Sequence, residues 1–257
     1  QFKVHYQVWD AFTEWAARTR SGMMLTQHKL VIDLALQNMD KPIEISTTVG
    51  TSNFMGLEKY MVQEGMVYNL VKGDLEPKRN AFDAAYTAGL IDSVFKFRGL
   101  GDGTAYINSE TERLLSGYVS LYLQISFDAR DKISKLRNSH PFTAEKKVQV
   151  DSLAASATKY LEMGMKQFPS EWRNYWAAAF VYEAAGQKAH AQDALNRGLE
   201  NVPAYEEGGR ARLLMSGRQI EQMSEEPLKV EEVVPAEPAD SAEGDSAKEP
   251  AVVAAAN

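Results

Sequence analysis

The chain contains no cysteine among its 257 residues and only four histidines. A disulfide framework, a thiol nucleophile and any cysteine-based zinc site are therefore excluded. His5, His28, His140 and His190 are scattered, with no HExxH pattern and no nearby carboxylates at metal-ligand spacing, so we expect no metal. No cofactor is expected either. The sequence lacks a GxSxG elbow, the Gly-Lys-Ser/Thr ending of a phosphate-binding loop and the three-glycine dinucleotide spacing, and no catalytic residue is assigned.

Long apolar runs are also missing. The longest uncharged stretch, Leu114 to Phe127, has 14 residues, below the roughly 17 to 25 that a membrane-crossing helix needs. There is no basic excess: the net charge is -7, and the stretch from Ser224 to Asn257 holds nine acids against two bases. That stretch carries the whole imbalance and leaves residues 1–223 neutral. Nucleic acid, which requires a clustered basic face, is not an expected partner. The chain opens at Gln1 without a methionine or a leader-like pattern, so we expect a piece or a processed product of a longer protein.

What is present is mostly helical periodicity. With 44% apolar and 25% charged residues the chain is long enough to bury a sizeable core. Residues 1–25 read as an N-terminal docking helix and linker, its stripe formed by Trp9, Phe12, Trp15 and Ala16. Residues 26–75 read as a small helix–strand–helix–strand unit. Its first helix carries Leu30, Ile32, Leu34, Ala35 and Leu36 and is stopped by Asp40 and Pro42. Ile43 to Val49, rich in β-branched residues, is the first expected strand, followed by a turn at Gly50 to Asn53 and a helix from Phe54 to Glu64. Gly65 is expected to cap that helix, and Met66 to Val71 to form a second strand reached by a parallel crossover.

Residues 76–223 read as a helical array. A turn-rich loop, Gly73 to Arg79, leads into an expected helix from Phe82 to Phe97. Gly99 to Gly103 is a flexible break, and a long helix from Glu110 to Leu136 carries Leu115, Tyr118, Val119, Tyr122, Ile125, Ala129, Ile133 and Leu136. The stretches YLEMGMKQFP from Tyr160 and ALNRGLENVP from Ala194 then align at an offset of 34 residues, pairing Gly164 with Gly198 and Pro169 with Pro203. That period, with Ala179, Tyr182, Gly186, Ala191 and Pro203 at matching places, resembles the tetratricopeptide repeat. A glycine inside a helix costs about 1 kcal/mol against alanine, so the two paired glycines imply close helix–helix approach. Tyr205 to Met223 would cover the last repeat. Residues 224–257, rich in Glu, Pro, Ala and Ser, read as a disordered acidic tail. The expected fold is thus mainly α, with a small α/β unit before a tetratricopeptide-like array.

The candidate binding residues are few. Gly50, Ser52 and Asn53 form a turn whose amides could face an anion or a sugar hydroxyl at a following helix N-terminus. Trp172, Trp176 and Tyr182, with Tyr175 and Phe180, could line a peptide or sugar groove, or simply serve as repeat core. Glu58, Lys59 and Tyr60 read as surface positions plus one packed ring, and Glu44 as an exposed strand-edge carboxylate.

The words KPI at Lys41, GLEKY at Gly56 and EGMVYNLV at Glu64 carry a further likeness. Over roughly Met23 to Pro203 the chain resembles the extramembrane C-terminal region of a bacterial family of multi-spanning membrane proteins. That family was long described as of unknown function and is similar to protein O-mannosyltransferases with a GT-C-like region. The segment departs from the family pattern at Glu44, Met39-Asp40 and Lys72. The resemblance implies a glycosyltransferase parent using a polyprenyl-phosphate sugar, with the catalytic carboxylate in a membrane loop outside this chain. It also implies a place on the periplasmic face of the inner membrane and, as partners, the parent transmembrane region and an acceptor protein or peptide. The alternative is a free-standing tetratricopeptide adaptor.

Overall fold

The computed structural model describes residues 2–18, 25–38, 40–70, 81–102, 104–223 and 229–230. Among them the chain is mainly helical, with eight α-helices and a four-stranded sheet. The Gly73 to Arg79 loop and nearly all of the acidic tail lie outside the described residues.

Two apolar cores organise the chain. The smaller joins Ala11 and Phe12 of α1 (Phe2–Arg18) and Ile32 of α2 (Thr26–Gln37) to Phe54, Met55, Leu57, Met61 and Leu70. The N-terminal helix packs on this core through Ala11 and Phe12, while Trp9 stays 54% exposed. In α2 only Ile32 and Ala35 of the expected stripe are buried, while Leu30 and Leu34 face outward. Its unit extends past both sequence-based boundaries: α1 supplies core residues from one side, and β4 (Ala81–Phe82) joins its sheet from the other.

The segment after β1 (Glu44–Ser46) corrects the sequence reading. No α-helix spans Phe54 to Glu64. Two short 3-10 turns, Thr51–Asn53 and Leu57–Tyr60, are followed by β2 (Met61–Glu64). The break lies at Met55 and Gly56, both with positive φ (51° and 84°). A Cβ on Gly56 would also stand 2.5 Å from the Ala11 carbonyl oxygen, so only glycine lets this turn press against α1.

The parallel crossover expected between the first and second strands is also absent: β1 pairs antiparallel with the strand Val67–Leu70, from Glu44↔Asn69 to Ser46↔Val67, and the supposed crossover helix gives way to a hairpin. β2 pairs with β3 (Val67–Leu70) from Met61↔Leu70 to Glu64↔Val67, leaving Gly65-Met66 as a two-residue loop. Gly65, at φ 62°, is not a helix cap; it fills the first loop position, where such hairpins favour glycine. The sheet order is β1-β3-β2-β4, with β4 parallel to β2.

The hairpin tip fastens the sheet to the helices. Gly65 N–H donates to the buried Thr87 hydroxyl at 3.0 Å, on α3 (Ala84–Ser93), and the Met66 side chain packs on Gly117 of α4 (Ser109–Arg137). α3 is shorter than the expected Phe82–Phe97 helix, because Phe82 belongs to β4 and the Asp83 side chain caps Tyr86 N–H at 2.8 Å.

α4 starts and ends within one residue of the expected Glu110 to Leu136 helix, and the last helix, Glu207–Glu221, lies inside the expected Tyr205 to Met223. α5 (Ala144–Gln167), α6 (Trp172–Ala184), α7 (Lys188–Asn201) and α8 (Glu207–Glu221) are joined by short loops, which makes sequence neighbours antiparallel. Alternate helices also touch, α4 with α6 and α6 with α8, so these three form one layer with α5 and α7 behind. The paired glycines sit at the tight places. A Cβ on Gly164 would meet Asn174 of α6 at 3.1 Å, and one on Gly198 would meet Tyr175 of α6 at 2.8 Å and Leu213 of α8 at 3.0 Å. Within the expected flexible break, Gly101 packs against the carbonyl of Lys166 near the end of α5.

Candidate functional site

On α6 the positions 172, 176 and 180 fall one turn apart along one stripe. Tyr175, Ala177, Ala178, Ala179 and Val181 point into the large core, whereas Trp172, Trp176 and Phe180 are only half-buried. Trp176 stands with its centroid 6.1 Å from Trp172 and 4.5 Å from Phe180. Phe127 of α4 meets it edge-on at 6.1 Å and keeps 40% of its surface exposed. The four rings make a continuous aromatic surface across the α4–α6 layer.

Cations flank this surface. The Arg130 guanidinium of α4 lies 5.3 Å from the Phe180 ring, and that of Arg212 on α8 lies 5.7 Å from Trp172. Trp172 is the most constrained of the rings, because it rests directly on Gly209 of α8, where any side chain would collide with it. Trp176, Phe180 and Phe127 form the more open part.

Of the residues singled out in the sequence, Trp172 and Trp176 are thus brought together. Tyr182 is not with them: it stacks on His190 of α7 at 5.2 Å, on the other side of α6. Gly50, Ser52 and Asn53 belong to the sheet unit, where Asn53 N–H closes a turn onto the Gly50 carbonyl at 2.9 Å. The helix that was to present amides to an anion is absent; the 3-10 turn Leu57–Tyr60 and then β2 stand in its place, so the premise of that site is lost. Glu44 lies exposed on the edge strand β1, as expected. Lys59 reaches the Glu14 carboxylate of α1 at 3.2 Å and Tyr60 packs on the small core, so these two serve the joint between turn and helix, whereas Glu58 is half-buried, with one carboxylate oxygen buried and unpartnered among the described residues instead of lying at the surface.

The sequence reading missed a groove between the sheet and α4. Gln63 and Tyr68, cross-strand partners on the sheet, face Gln124, and these three residues line two adjoining cavities of about 390 and 600 Å³. The smaller runs toward Thr48, Arg113 and Ser120; the larger ends at Phe127, Asp128 and Asp131. A polar residue at an inward strand position, Gln63, and an aromatic residue off the buried stripe of α4, Phe127, were the available signals.

One further polar cluster joins α3 to α5. Asp92 of α3 accepts from the Lys159 ammonium at 2.9 Å and from the Tyr160 hydroxyl at 2.9 Å, which holds its carboxyl below the usual range. Tyr122, buried on α4 with its hydroxyl on Gln167, is pushed up to about 12 by desolvation. Both groups tie helices together and stand apart from the aromatic surface. Among the described residues no group of three or more His, Asp or Glu could hold a metal, and no helix is long and apolar enough to cross a membrane.

Comparison of the chain with known protein families, with curated proteins and with solved structures finds no match. The resemblance of Met23 to Pro203 to a glycosyltransferase-linked region therefore rests on its sequence words alone.

Proposed function

We propose that the chain is a non-catalytic polypeptide-binding module whose helical array, tetratricopeptide-like in period, holds an extended segment of another protein. The observation that carries this reading is the half-buried aromatic surface of Phe127, Trp172, Trp176 and Phe180, spanning two helices of one layer with an arginine at either end. Large rings fixed on rigid helices give contact area at little entropic cost, which suits them as anchors for a chain that must be ordered on binding.

The sequence words add a context: the C-terminal, periplasmic part of a membrane glycosyltransferase that takes its sugar from a polyprenyl phosphate. The module would keep an acceptor polypeptide close to a membrane-embedded active site. In a strain carrying the full parent gene, Trp176→Ala with Phe180→Ala should cut hexose modification of periplasmic proteins several-fold, read by glycoproteomics, with the membrane part still accumulating. Unchanged modification would move the reading to a free-standing adaptor, as would an upstream reading frame that codes no apolar spans.

A further inference from the structure

The larger of the two groove cavities adjoins the aromatic surface through Phe127, whose ring touches Trp176. Its lining has a chemical bias. Gln63 is only 9% exposed; its Nε2 donates to the Gly65 carbonyl at 3.1 Å, and no donor among the described residues reaches its Oε1. The Tyr68 hydroxyl, the Gln124 amide and the Asp131 carboxylate have no hydrogen-bond partner among the described residues either. Of these only Gln63 is buried; Tyr68 and Gln124 are half-buried and Asp131 is exposed, so the cavity carries one buried open acceptor and an exposed carboxylate.

Apart from Lys135, one helical turn past Asp131 on α4, the cations nearby are already placed. Lys132 is held by Asp128 at 2.6 Å, Arg130 is turned onto Phe180, and Arg113, at the far end of the groove, is held by Glu110 at 3.2 Å. Asp131 has no such partner. Aromatic walls from Tyr68, Phe82 and Phe127 would suit an aliphatic stem, with acceptors at its end.

We propose that this cavity receives the lysine or arginine side chain of the bound polypeptide and so sets which segments the module selects. This rests on the polypeptide-binding reading. A neutral donor satisfies only Gln63 Oε1, whereas an ammonium or guanidinium group donates to it, pairs with the exposed Asp131 carboxylate and lays its stem against the rings.

The test uses the whole chain and a pool of randomised twelve-residue peptides, with retained peptides identified by mass spectrometry. Lysine and arginine should be enriched about fivefold among retained peptides over the pool, a factor fitting one charge-assisted contact with an aromatic wall. Asp131→Asn, at an exposed position that leaves the fold intact by circular dichroism, should bring that enrichment down toward onefold. Asp131→Lys should turn it toward acidic residues. Retention without cationic enrichment, or enrichment indifferent to Asp131, overturns the pocket while leaving the polypeptide reading standing. A wild-type chain that retains no peptide overturns both.

Discussion

The two cores of this chain are built on opposite plans. The large one is assembled from residues close in sequence, each helix packing on the next and α6 also on α4 and α8, with glycines where backbones crowd. The small one gathers residues from α1, α2, two 3-10 turns and a hairpin, so few of its contacts are local. Loop-closure entropy must be met before such non-local contacts form, and a small core has less burial to offset it. The small unit should therefore be the less stable of the two, held in place by its hairpin tip on α3 and α4.

Matched truncations would break this comparison most sharply. Leu57 and Leu161 are both fully buried, one in each core. Each change to alanine should cost about 2–5 kcal/mol, but the consequences differ. Leu57→Ala should release the sheet unit alone, detected as loss of amide protection in residues 43–70 with the helical dichroism largely kept. Leu161→Ala should lower the urea midpoint of the main helical transition. Loss of both units together in Leu57→Ala would mean that the two cores fold as one.

The same contrast explains what was legible in the sequence. Where contacts are local, apolar spacing gives the backbone directly: the long α4 helix, the 34-residue offset and the tight seats of Gly164 and Gly198 all followed from periodicity and glycine cost. In the small unit, Phe54, Leu57 and Met61 keep helical spacing and are indeed buried, yet the backbone is not an α-helix. Positive φ at Met55 and Gly56 redirects the chain, and the two-residue glycine loop between Glu64 and Val67, a hairpin signal in its own right, outweighed the helical reading. The aromatic surface was half visible, since Trp172 and Trp176 lie on one periodic helix. The cavity was not, because it joins Gln63 to Gln124 and Asp131 across elements distant in sequence.

The link between the cores can be weakened more gently. At Gly65 a Cβ would lie 2.7 Å from Leu90 Cδ1 on a residue with φ 62°. Gly65→Ala should cost about 1–2 kcal/mol from left-handed strain alone. Amide exchange should quicken in β2, β3 and the first turns of α3 while α5 to α8 stay unchanged. Equal exchange in all of them would show that the hairpin tip is not the fastening point.

The smallest expected effect is electrostatic and lies where α3 meets α5. Asp92 is held below its ordinary range chiefly by its hydrogen bond to the Lys159 ammonium, with the Tyr160 hydroxyl adding to it against the cost of burial. A carboxyl lowered on folding contributes stability above the pH at which it ionises in the unfolded chain, and that contribution fades as pH falls through the lower folded value. The ordinary aspartate value is about 3.9, so the loss belongs to the acid limb below that range. Both ionic partners are largely exposed, which keeps the effect small. Asp92→Asn should therefore flatten the acid limb of stability slightly, measured as urea midpoints from neutral pH down to about pH 3, and change the midpoint little at neutrality. A wild-type profile already indifferent to that pH range would show that α3 is held on α5 by packing and by the hairpin tip, with no help from this ion pair.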